Sequence, residues 1–259
     1  MSIILCADDF GQNKKISQGI LQLTSKNRLS AISCMTQMPH WNIFALDLLD
    51  LKKSKNHIQL GIHFNLTHLS NHSLFYWMRS SMMGMVDRQT IQTTFNQQCD
   101  AFEKIAKQEP EFIDGHQHVH SFPIIRDIII DVLKRRYAHK MPYVRNLRLS
   151  PTQKSNLKTS VLSKMSYGFK KLLMDNNIAH NDYFAGIYDL DPNNKNYKQL
   201  LQSWFESAPS NTLIMCHPGL LSQDQSDPIA ATRFKEFEIL SSDWFYDNYG
   251  PLIAIHPTF

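Results

Sequence analysis

At 259 residues, 42% hydrophobic and 19% charged, the chain has a globular composition and enough length to bury a sizeable core. Its four cysteines, Cys6, Cys34, Cys99 and Cys216, are far apart, which argues against a zinc ribbon or redox pair and fits a reducing, cytoplasmic setting. The formal charge of +4 brings no nucleic-acid motif with it, and no apolar run approaches the ~20 residues that span a bilayer, so neither nucleic acid nor membrane is an expected partner.

Residues 2–7 read as a buried strand that ends at Asp8, Asp9, Phe10 and Gly11; with no charged leader they do not read as a signal peptide. Ile16, Ile20 and Leu23 recur at helical spacing and predict a helix over 14–26. A second strand is expected over 31–35, then a helix over 42–53 with Asn42 as its N-cap, then a third strand over 59–64. Residues 67–87 show no clear period, and their Met, Trp and Tyr content suggests a loop that packs over something. A long helix fits 90–108, a fourth strand 112–115, and a helix 124–137 with Pro123 near its first turn. Residues 143–145 make a short strand, and 150–177, rich in Lys and Ser, is expected to be helical in part. Strands over 183–187 and 212–216, helices over 197–206 and 234–240, and a late apolar segment at 252–255 that suits a last strand complete the pattern.

Strands that are apolar on both faces and alternate with helices indicate a parallel sheet. Seven or eight such units in one domain, 1–259, predict an α/β fold: a distorted TIM-like (β/α) barrel, with an open doubly wound sheet as the alternative. Four strands end in reactive residues: Asp8 and Asp9; His63 and Asn65; Asp114, Gly115 and His116; and His217 before Pro218 and Gly219. Each fragment alone reads as a cap, a turn or a satisfied core histidine. In a parallel barrel, however, the C-terminal strand ends converge on one mouth, so residues 200 positions apart meet there. His40, His57, His68, His72, His139, His180 and His256 lack that context and read as surface or loop residues.

One carboxylate and two imidazoles make a divalent-metal set with positions left for water and substrate. If Asp9, His63 and His116 are that set, Asp8 is placed to act as base and His217 to protonate a leaving group, while Arg145 would hold Asp8 or a substrate oxygen. His118 and His120 would join His116 on one face of an extended segment, but His116 and His120 would lie about 13 Å apart along it. One ion could not easily take all three, so the latter two are assigned to the loop or the substrate cleft.

These motifs resemble the YdjC/ChbG-like carbohydrate deacetylases. The matching stretches are residues 7–11, 61–67, 114–120 and 215–219, and Phe184 with Gly186 resembles a weaker Phe-x-Gly element. The family often carries Ser and His where this chain has Gly115 and Gln117. The resemblance implies a barrel of the glycoside hydrolase/deacetylase type. It also implies removal of acetyl from an N-acetylated sugar such as a chito-oligosaccharide, with a divalent metal, usually Mg2+, on Asp9, His63 and His116. Asp8 matches the family base and His217 its acid; Arg145, His118, His120 and Phe184 are candidate substrate contacts, and a homodimer is possible. By ligand type alone, Zn2+ or another transition metal would serve. A metal-dependent hydrolase of a phosphoester or non-sugar amide, and a non-catalytic sugar-binding barrel, remain alternatives. Segments 67–87 and 150–177 are expected to shape substrate choice.

Overall fold

The computed structural model describes residues 3–55, 57–151, 153, 157–191, 196–223 and 226–253. Its strands are β1 (Ile3–Phe10), β2 (Ala31–Cys34), β3 (Gln59–Phe64), β4 (Phe112–Gly115), β5 (Tyr143–Val144), β6 (Tyr183–Ala185) and β7 (Thr212–Cys216). All pair in parallel, in the order β5-β4-β3-β2-β1-β7-β6. The two edge strands meet through the chain beyond them. Leu149 forms a parallel bridge with Phe184, and the Val144 N–H donates to the Ala179 carbonyl at 2.9 Å. The sheet therefore curls into a distorted (β/α) barrel, joined on one side by a single bridge.

Helices α1 (Lys14–Ser25), α2 (Trp41–Ser54), α3 (Leu74–Met82), α4 (Arg88–Ala106), α5 (Ile125–Arg136), α6 (Leu157–Met165), α7 (Phe169–Asp175), α8 (Tyr197–Ser207), α9 (Ala230–Ser241) and α10 (Asp243–Ile253) lie between and after the strands. Trp41 at the head of α2 shows how they dock. Its ring stacks on Phe102 of α4 at 5.6 Å and meets Phe10 edge-on at 6.3 Å, and its Nε1–H donates to the Ala101 carbonyl. Truncating so large a buried side chain typically costs about 3–5 kcal/mol.

Strand parity sorts the core into two apolar clusters. Ile4, Cys6, Phe112, Tyr143, Phe184, Leu213 and Met215 form an inner one. Ile3, Leu5, Ala7, Ile62, Ile113, Val144, Ile214 and Cys216 belong to the larger one under the helices. Side chains alternate along a strand, so residues two further on share a face. Counting on from the inner cluster, Asp8, Asp114, Arg145 and His217 fall on the barrel interior, one layer nearer the C-terminal mouth. The apolar plug thus ends where the polar groups begin.

Three expectations need correction. Segment 67–87 contains α3, whose N-cap Ser73 accepts from the Tyr76 N–H; only Trp77, Ser80 and Ser81 of this helix are buried, so no long apolar period marks it. Helix α2 starts at Trp41, after His40, with no side-chain cap; Asn42 lies inside its first turn. Residues 252 and 253 end α10 rather than form a last strand, and 254–255 lie outside the described residues.

Gly186 follows β6 with φ +103°, and a Cβ there would sit 2.3 Å from the Met215 carbonyl oxygen. Only glycine takes that conformation without strain. Gly186→Ala is expected to lower the unfolding free energy by about 1–3 kcal/mol or more in a denaturant titration; an unchanged midpoint would show that the β6–β7 approach is looser than it is drawn.

Candidate active site

The site begins with a break in β1. Its register with β2 shifts between Ala7 and Phe10, and Asp9 adopts a left-handed φ of +69°. In a regular strand adjacent residues point to opposite faces; this bulge lets Asp8 and Asp9 both line one pocket. A second break follows β4. Gln117 and His118 are left-handed (φ 52° and 63°), so the segment from His116 to Ser121 coils tightly instead of running on as a strand. His116 is left at the mouth, half-buried, while Gln117 is exposed.

Asp9 Oδ1 is the hub, 2.9 Å from His116 Nδ1 and 3.2 Å from His63 Nε2. The donor atoms of these three residues all lie within 4.8 Å of one another. Bonds of about 2.0–2.2 Å to one ion place neighbouring donors about 3 Å apart, so the spacing fits a shared divalent cation. The surroundings fit as well. His63 Nδ1 meets Asp114 Oδ1 at 2.7 Å and Ser33 Oγ at 3.0 Å, the carboxylate support usual behind a metal-facing imidazole. Asp9 Oδ2 accepts from Arg233 Nη2 at 2.7 Å, and Arg233 Nε is held by Asp227 at 2.8 Å. A second cluster, Cys6, Asp8 and Asp114, does not suit an ion: Arg145 bonds to both carboxylates and to Cys6 Sγ and fills it.

Arg145 is fully buried. Its Nη1 and Nη2 donate to Asp8 Oδ2 and Oδ1 at 2.7 and 2.6 Å, a bidentate fork. Burial pushes the Asp8 carboxyl up, but Arg145, then His63, hold it well below the usual carboxylate range. Burial acts likewise on Asp9, where Arg233 and His116 win and keep it low. Burial pushes His63 down, yet Asp114, Asp8 and the bonds to Asp114 and Asp9 raise it to about 10. His217 is pushed down by burial to about 4, against the pull of Asp9 and Asp8. Its Nδ1 has no partner among the described residues, and its backbone N–H donates to Glu236 Oε2 at 2.5 Å.

The structure brings Asp8, Asp9, His63, His116, His118 and His217 around one cavity of about 310 Å³. It keeps three other expected contacts out of the lining. Arg145 holds Asp8 instead of reaching substrate. His120 is buried, with Nε2 2.9 Å from the Arg145 carbonyl and its ring against Phe169. Its Nδ1 would meet a Cβ at residue 115 at 2.9 Å, which explains Gly115. Phe184 belongs to the inner apolar cluster and meets the His118 ring edge-on at 5.5 Å. His68, read as a loop residue, lines the cavity with its ring 4.9 Å from that of His116; His256 lies outside the described residues. Sequence reasoning also missed Ser33, Asp114 as the support of His63, Arg233, Asp227 and Glu236. Ser33 had a signal, two residues after Ala31 on the inner face of an otherwise apolar strand. The α9 residues Arg233 and Glu236 had none.

A family model described as "YdjC-like protein" matches residues 2–249, and the chain belongs to that family. A carbohydrate deacetylase from Clostridium beijerinckii is 24% identical over 93% of this chain and 92% of its own length. A chitooligosaccharide deacetylase from Yersinia pestis is also 24% identical, over 93% of this chain and 90% of its own. Among solved structures, an Enterococcus faecalis V583 protein, named as a candidate for cellobiose-phosphate cleavage, superimposes with a TM-score of 0.67 at 21% identity, covering 98% of this chain and 97% of that one. That likeness shows the fold.

The titrations set a pH window for the metal-free protein. His63, raised to about 10, contributes stability that is full below its unfolded value near 6.5 and lost as pH climbs toward 10. His217 and His120, both lowered to about 4, contribute stability that is full above the unfolded value near 6.5 and lost as pH falls from there toward 4. Glu236, raised to about 7 by burial, opposes these two without cancelling them. Thermal stability of chelator-treated protein should peak at about pH 6–7; a midpoint that keeps rising to pH 9 would contradict a charged His63. Adding a divalent ion at pH 7 should release about one proton per chain, read by calorimetry in buffers of different ionisation enthalpy, and Asp114→Asn should reduce that release.

Proposed function

We propose that this member of the YdjC-like family is a carbohydrate deacetylase that hydrolyses the acetamide of an N-acetylated sugar and releases acetate. The observation that carries the reading is the meeting of Asp9, His63 and His116 with Asp8 and His217 around one cavity. Relatives over nearly the whole chain, named carbohydrate and chitooligosaccharide deacetylases, supply the substrate class.

Asp9, His63 and His116 would hold a divalent ion. When bound, that ion polarises the acetamide carbonyl and acidifies a water, the help that a carboxylate as weakly basic as Asp8 requires. Mg2+ is the ion that the family resemblance implies, and a set of one carboxylate and two imidazoles accepts Zn2+ or another transition metal as well. Asp8, kept ionised and aimed by the Arg145 fork, takes the proton of the attacking water. The water oxygen bonds to the carbonyl carbon, and the carbon–nitrogen bond then breaks. His217 delivers a proton to the departing sugar nitrogen, giving acetate and a free amino sugar. A pKa near 4 makes His217 a strong donor once protonated, and its place in the cavity lining suits it to the transfer. Arg233 keeps Asp9 in place from the side away from the imidazoles.

Asp8→Asn and His217→Ala are each expected to lower acetate release from N-acetylated oligosaccharides by about 10²-fold or more, general acid–base catalysis being worth 10²–10⁴. Both variants should still bind the ion with near wild-type affinity. Loss of the ion in either, or full activity in both, would sink these roles.

A further inference from the structure

A groove of about 440 Å³ adjoins the catalytic cavity. Its walls include Leu74 and Met78 of α3, Phe122, and Val161, Leu162 and Met165 of α6. The volume is within the range of small-molecule sites. Gln117 and His118 line both the groove and the cavity, so the two form one continuous cleft around the left-handed turn that follows His116.

The chemistry changes abruptly along that cleft. The cavity presents carboxylates and imidazoles; the groove wall is almost wholly aliphatic and aromatic. Among the described residues its one cationic lining residue is Lys158, whose Nζ is bound to the Asp189 carbonyl at 2.9 Å. A second sugar ring seated there would bury hydroxyls with few partners, which opposes binding. The two helices that wall the groove also carry exposed apolar side chains: Phe75 on α3 and Leu157 on α6 are 72% and 80% exposed. Exposed apolar side chains gathered on two helices that flank an active-site cleft mark a binding surface. Gln117 and His118 belong to both spaces, so one molecule can reach from the cavity into the groove.

We infer that the groove seats an aliphatic aglycone, which makes the substrate class an N-acetylated sugar carried on an apolar chain. The inference rests on the deacetylase reading for the sugar end only. The direct test is equilibrium binding of the methyl and octyl glycosides of N-acetylglucosamine to the full chain, below the concentration at which the octyl compound forms micelles. The octyl glycoside should bind at least ~10-fold tighter, since each buried methylene is worth about fourfold. Val161→Asp, at a position 38% exposed on α6, should bring the two affinities within about twofold and leave methyl glycoside binding unchanged. Equal affinities in the wild type, or a preference that survives in Val161→Asp, would overturn the assignment. Acetate release separates the two readings. An octyl preference without release from either glycoside supports the groove and contradicts deacetylation; release from both with no preference contradicts the groove alone.

Discussion

The buried fork of Arg145 is the contact that the rest of the site depends on. Asp8 and Asp114 both face the barrel interior and are almost fully buried, where an unpaired charge is strongly unfavourable. Arg145 bonds to both. With Asp114 so anchored, its other oxygen holds His63 Nδ1 and turns Nε2 toward Asp9. Arg233 secures Asp9 from the far side. Four carboxylates, those of Asp8, Asp9, Asp114 and Asp227, therefore face two guanidiniums. The proton on His63 offsets part of that imbalance in the metal-free protein, and a divalent cation would offset it in the loaded one. Breaking such a buried pair commonly costs about 3–5 kcal/mol, so Arg145 carries stability as well as site geometry.

The fold produces this arrangement by simple counting. An inner apolar layer of alternate strand residues plugs the barrel, and the next alternate residues become polar at the C-terminal mouth. Two local departures complete the set. The β1 bulge brings adjacent aspartates to one pocket, and the left-handed turn after β4 stops His116 at the mouth. Non-glycine residues with positive φ cost about 1–3 kcal/mol each, so Asp9, Gln117 and His118 store strain where the site is assembled.

Much of the site was legible because it is written in short motifs at strand ends. Asp8, Asp9, His63, His116 and His217 announce themselves by residue type next to apolar runs, and the barrel class follows from the alternation of strands and helices. What stayed hidden is supplied across space. Arg233 and Glu236 lie on α9, where a polar residue in a helix signals nothing about a strand end far away in sequence. His68 looked like a loop histidine because the loop's path across the mouth is a tertiary fact. His120 looked like a cleft residue because its alternation with His116 assumed an extended backbone that the two left-handed residues abolish. Segment 67–87 looked irregular because α3 is short and buries only Trp77, Ser80 and Ser81, while Leu74 and Met78, packed on the core, also border an open groove, the same feature that points to an apolar part of the substrate.

The most direct test of the central claim is acetate release by metal-stripped protein as a divalent ion is added back. The account predicts negligible release without metal, a linear rise that breaks at one ion per chain, and no rise in His63→Ala. Full release from thoroughly stripped protein, or a His63→Ala variant as active as the wild type, would contradict it.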